Sequence, residues 1–145
     1  VSKAHYDALE AVLPSSNFTV FRGVAEWEST EQNPDGELSA DDYPYIVLGG
    51  NLGRDYTEAA NGGPDTREIR FKITYAGLTF DSVLVVMEAV RAALNGRKLV
   101  VPGWSSGILR QEQLLDIRAD RDVTIPGIGL HPQYAVDEFT LVSAR

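Results

Sequence analysis

The chain has 145 residues with 21 acids, 13 bases and no cysteine, giving a net charge of −8. A domain of this size buries about 68–70% of its unfolded surface, so it needs no disulfide or metal staple, and without cysteine a thiolate site is excluded. The acidic balance argues against tight nucleic-acid binding, in which lysine and arginine must neutralise phosphates. It does not argue against a surface past which DNA slides without sticking. There is no N-terminal apolar core long enough for a signal peptide and no apolar run of about 18 residues. The expectation is a soluble single-domain protein made in a cytoplasm.

Ser2 to Leu13 reads as a short helix, with Ser2 as cap, a stripe of Tyr6, Leu9 and Leu13, and Pro14 as its end. Phe18 to Arg22 reads as a strand with Phe18, Val20 and Arg22 on one face. Glu26 to Asp42 then carries seven acids, no base and the turn Asn33-Pro34-Asp35-Gly36. It reads as a long, mobile, solvated loop, a type that in small domains is functional or disordered. Tyr45 to Leu48 reads as a buried strand bounded by Pro44 and Gly49-Gly50, with Gly49 to Gly53 as a turn and Asn51 to Asp65 as a second loop.

Thr66 to Gly96 is the most ordered stretch. Glu68, Arg70, Lys72 and Thr74 alternate with Ile69, Phe71, Ile73 and Tyr75, which predicts a strand with one apolar face. After an Ala76-Gly77 corner, Phe80, Val83, Leu84, Met87, Val90 and Leu94 predict an amphipathic helix capped by Thr79 and stopped at Asn95-Gly96. Asp81, Glu88 and Asn95 mark its polar line, and Glu88 and Arg91 are spaced to pair. Val85 falls near that polar line. It is either an ordinary exposed valine or a subunit contact. Lys98 to Val101, Gln113 to Ala119 and Tyr134 to Ser143 read as strands. The last is apolar on both faces, as a central or covered strand is. The order of elements predicts an α+β domain: a mostly antiparallel sheet with two helices on one face.

Several patterns imitate reactive sites. Gly103-Trp104-Ser105-Ser106-Gly107 is a literal G-x-S-x-G, followed by Asp116, Asp120 and His131 in triad order. A nucleophilic serine requires a parallel strand, a tight turn and a helix, and neither Pro102 nor the element order provides them. A small serine hydrolase using Ser105 is therefore the disfavoured alternative. Glu31, Asn33, Asp35, Gly36, Glu37 and Asp42 partly match a calcium loop, but the first and last ligands are wrong and Pro44 begins a strand where a helix belongs. His5 and His131 lack partners at metal-ligand spacing. Arg67, Arg70 and Lys72 form either a basic strip for an acidic partner or a solvated sheet face paired with nearby acids. No catalytic residue, metal or cofactor is expected.

Taken together, five segments resemble the tail terminator (tail-completion, or tail-to-head joining) proteins of long-tailed bacteriophages. They are Asp42-Tyr43-Pro44-Tyr45-Ile46-Val47-Leu48, Arg70 to Gly77, Val90 to Gly96, Arg118 to Asp122 and Tyr134 to Val142. The resemblance spans about Asp42 to Val142 as a pattern of elements rather than a signature motif. It implies a structural virion protein at the head–tail junction, assembled in the host cytoplasm as a homo-oligomeric ring, usually of six subunits. Such a ring caps the tail tube, ends its polymerisation and docks to the neck or head-completion protein, with genomic DNA passing through its lumen. Another neck protein is the nearest alternative. In this setting Arg70, Lys72, Val85 and the acidic Glu31, Asp35, Glu37, Asp41 and Asp42 are the expected subunit or partner contacts.

Overall fold

The computed structural model describes residues 2–14, 18–23, 43–56, 66–125 and 129–144, with the backbone alone at 2 and 51–56. The elements in chain order are α1 (Ser2–Ala11), β1 (Thr19–Arg22), β2 (Tyr45–Tyr56), β3 (Thr66–Gly77), α2 (Phe80–Leu94), β4 (Ser105–Ser106), β5 (Arg110–Ala119) and β6 (Gln133–Ala144). The predicted calcium-loop likeness and the acidic residues Glu31, Asp35, Glu37, Asp41 and Asp42 lie outside the described residues.

The strands form one sheet in the order β1-β2-β3-β6, with β4 and β5 both along the outer side of β6. The β1–β2 pair is parallel and every other pair is antiparallel. The α+β expectation therefore holds, and β6 is central as its two apolar faces predicted. The register places Ile69 opposite Leu141, Phe71 opposite Phe139, and Ile73 opposite Asp137, all on one face. Both helices cover that face. Tyr6 of α1 meets Phe71 edge-on with ring centroids 4.8 Å apart, and Arg91 of α2 reaches Asp137. Phe71 and Phe139 are fully buried between them, and each such side chain contributes about 1.5–3 kcal/mol of burial. Ala76 faces the other way, where it joins Tyr43 and Ile125 in a small second cluster.

Helix α2 begins as the sequence predicts. The Thr79 side chain accepts from the Ser82 amide at 3.1 Å, and Gly96 leaves the helix at φ +74°. Its inward face is rotated from the predicted one: Val83, Val86, Met87, Val90 and Leu94 are buried, while Phe80 and Leu84 are exposed. Gly77 sets this docking angle, because a Cβ there would lie 2.9 Å from Ser82 Oγ and 3.0 Å from Val83 Cγ2.

Two further expectations are corrected. Gly49-Gly50 does not end a strand, since β2 continues to Tyr56 with a register shift between Asn51 and Arg54. Gly50 sits at φ +117°, and a Cβ there would fall 2.2 Å from the Arg70 carbonyl and 2.8 Å from the Tyr6 hydroxyl. The glycine lets the strand bend under α1 rather than stop. Lys98 to Val101 is not a full strand and makes only an isolated bridge between Lys98 and Ile108. By contrast β5 starts earlier than predicted, at Arg110.

Candidate functional site

The imitation triad is dismantled by topology. Ser105 lies opposite Ala144 at one end of β6, and Asp120 bonds the Pro132 carbonyl just beyond the other end. The twelve-residue strand between them spans about 36 Å. His131 Nδ1 lies 2.7 Å from the Val123 carbonyl, near Asp120 and far from Ser105. No group of three or more metal-ligating side chains occurs among the described residues, and no helix among them is long and apolar enough to cross a membrane.

Two polar centres are buried instead, one under each helix. Asp137 is fully buried. It accepts from Tyr75 Oη at 2.9 Å and from Arg91 at both carboxylate oxygens, Nε to Oδ2 at 2.8 Å and Nη2 to Oδ1 at 2.7 Å. Gln113 Oε1 accepts from Arg91 Nη2 at 3.3 Å, and Gln111, with its amide oxygen turned inward, accepts from the same nitrogen and from the Gln113 amide. The hydrogen bond to Asp137 raises the Arg91 pKa, so the guanidinium stays charged. Burial first, and Asp137 second, push the Tyr75 phenol far above its ordinary range. The sequence placed Arg91 with Glu88, yet the side chain turns inward, because a carboxylate projecting from an apolar strand face cannot be left alone.

At the other end His5 Nε2 lies 3.0 Å from Ser143 Oγ, and Ser143 Oγ lies 3.1 Å from Ser106 Oγ. Trp104 packs edge-on against His5, and Arg67 stands over the Trp104 ring at 5.5 Å. All three polar residues are buried, so this group pins α1 and β4 to β6 and offers nothing to solvent. Arg67 is thus on the helix side of the sheet and is not part of a basic strip with Arg70 and Lys72.

What remains open to partners is surface. On the uncovered sheet face, Arg70 is exposed and bonds Glu68 at 3.1 Å, while Lys72 is exposed opposite Glu138. The rungs alternate in sign: Arg70–Thr140–Arg110 beside Lys72–Glu138–Glu112. Arg70 is thus held by a neighbouring acid, as the solvated-face alternative has it. On α2, Val85 is 65% exposed and borders a groove of about 320 Å³ walled by Phe18, Pro44, Val86 and Ala89, with Asp81 and Ser82 also in its lining. Where α2 ends, Val100 is 86% exposed and Ile108 50%. The only local sign of this last patch is Val100 standing between two other apolar residues.

No protein-family model matches the chain, and no curated protein matches it. Among solved structures, a chain from "Virion of native gene transfer agent (GTA) particle" is similar over 94% of this chain and 90% of its own length. The TM-score is 0.51 at 19% sequence identity, a likeness of fold.

Proposed function

We propose that this chain is a structural virion protein, a tail terminator that assembles as a ring on the end of the tail tube, stops its polymerisation and joins tail to head. The observation that carries the reading is a fold shared over nearly the whole length with a chain of a gene transfer agent virion. The pattern of segments described above points independently to the tail terminators. The ring has six subunits, as that resemblance implies, and contacts the tube protein on one side and the neck protein on the other. The net charge of −8 suits a lumen that repels DNA phosphates and lets the genome move. Arg70, Lys72 and Val85 are the candidates for subunit or partner contacts on this reading. Glu31, Asp35, Glu37, Asp41 and Asp42 are assigned to the tube or a neighbouring subunit. The role is assembly, without catalysis or cofactor.

The test is genetic and visual. Particles lacking this protein are expected to carry overlong, headless tails by electron microscopy. Tails of normal length that fail only to attach would instead assign the chain to another neck protein, and attached tails of normal length would refute both.

A further inference from the structure

The ring reading leaves open which surfaces meet, and two patches on this chain differ in the way a head-to-tail contact requires. The first is the groove beside α2. Its walls are Phe18, Pro44, Val85, Val86 and Ala89. Asp81, Val85 and Glu88 follow one another at helical spacing on the outer flank of α2, and all three are exposed. The groove is therefore apolar inside and acidic at its rim.

The second patch begins where α2 stops. The chain folds back on itself through bonds from the Gly96 amide to the Leu109 carbonyl and from the Leu109 amide to the Arg97 carbonyl, both 2.9 Å, around the Lys98–Ile108 bridge. Leu99 and Val101 are buried in the core, which turns Lys98 and Val100, the residues alternating with them, outward. Residues 97–101 and 106–110 hold three bases, Arg97, Lys98 and Arg110, and no acid, on a chain of net charge −8. All three bases are exposed, as are Val100 and Ile108. The ribbon is an apolar knob with a basic rim.

We propose that the ribbon of one copy seats in the groove of the next, Val100 and Ile108 entering between Val85 and Pro44 while Lys98 and Arg97 face Asp81 and Glu88. The occupant is a second copy of this chain because shape and charge both match: an apolar projection with basic edges meets an apolar recess with acidic edges. The two patches are distinct on each subunit: the groove reaches along α2 to Ala89 and the ribbon begins at Arg97, with the Val90–Leu94 end of the helix between them covering about 8 Å. Such a contact is heterologous. It propagates from copy to copy and closes into a ring when the rotation per step allows. The proposal rests on the ring reading and names the surfaces that build it.

The experiment uses two variants, Val85→Glu and Val100→Glu, both at exposed positions, followed by sedimentation velocity alone and on isolated tail tubes. Circular dichroism melting checks that each remains folded. Each variant alone is expected to associate about 30-fold more weakly than wild type, or worse, and to form no ring. Mixed in equal amounts, they are expected to form a one-to-one heterodimer that goes no further, because one member keeps its ribbon and the other keeps its groove. A second readout exploits the absence of native cysteine: the pair Val85→Cys and Val100→Cys in one chain is expected to give an oxidised ladder of covalent multimers. Wild-type rings that persist in both variants, or a mixture that stays monomeric while wild type forms rings, would overturn the surface assignment and leave the ring reading intact. Wild-type protein that forms no ring even on tubes would overturn the ring reading and this proposal with it.

Discussion

Replacing Arg91 with alanine tests how the sheet tolerates a charge at its centre. Asp137 is fully buried, and two of the three short donors that hold its carboxylate come from Arg91. Removing one partner of a buried ion pair costs about 3–5 kcal/mol, because the remaining charge has neither partner nor water. The Arg91 side chain is 31% exposed, so water entering the space it leaves partly solvates the carboxylate. That places the expected loss at the lower end, about 3 kcal/mol. For a chain of this length the loss lowers the melting temperature by roughly 6–12 °C. Urea unfolding followed by far-ultraviolet circular dichroism measures it directly. The double variant Arg91→Met/Asp137→Leu removes both charges and is expected to recover to within about 1 kcal/mol of wild type, since a buried pair is worth little over apolar packing. The reasoning is refuted if Arg91→Ala unfolds within about 0.5 kcal/mol of wild type, or if the double variant is as unstable as the two single losses added together.

Two further outcomes follow from other positions. Gly50→Ala is expected to cost about 2–4 kcal/mol, because the new Cβ collides with the Arg70 carbonyl and the Tyr6 hydroxyl at a backbone angle that alanine resists; a urea midpoint unchanged from wild type would contradict the bent strand. Stability is expected to fall above pH 10: the native state keeps the Tyr75 proton, the unfolded chain releases it above the ordinary phenol value of 10.0, and the unfolded state then binds fewer protons. The loss is about 1.4 kcal/mol per pH unit from Tyr75, with Tyr6 and Tyr45 acting in the same direction through burial, and Tyr75→Phe is expected to flatten the measured slope by that one proton.

The parts of the fold that were legible in the sequence are those governed by a local period. Strand β3, helix α2 and the central strand β6 each carry an alternation or a helical stripe that fixes type and approximate bounds. The sequence pattern ends strand β2 at Leu48, because Gly49-Gly50 is a turn signal except where a glycine admits a bend beneath a helix. The helical stripe alone puts the inward face of α2 about one residue out of phase, since Leu84 and Val86 are equally apolar and the close contact at Gly77 sets which of them turns inward. The Arg91–Asp137 pair was missed because its partners are 46 residues apart. One local signal was available. Asp137 sits in the inward line Ala135, Asp137, Phe139, Leu141, and a carboxylate in such a line demands a cation from somewhere. The outward patches were only half legible: Val85 stood out against a polar line, whereas Val100 and Ile108 are exposed only because the chain folds back after α2.

The outward apolar residues of α2 are not explained by the fold. Phe80 and Leu84 can be exchanged for glutamate or lysine without emptying any part of the core, and Val85 is a weaker helix former than either. The helix would be as well capped, and its inward face as well packed, with a charged outer side. The same holds for Val100, which lies between two buried neighbours and itself touches mainly solvent. Meanwhile the two buried polar centres fix the helices to the sheet, α2 near the middle of β6 through Arg91 and Asp137 and α1 at its C-terminal end through His5 and Ser143. A platform with a polar pin under each helix presents its outer residues in one geometry, so a partner that covers them pays little ordering entropy. The proposed ring would use that combination, a rigid interior and apolar residues the interior does not need, to repeat one contact from copy to copy.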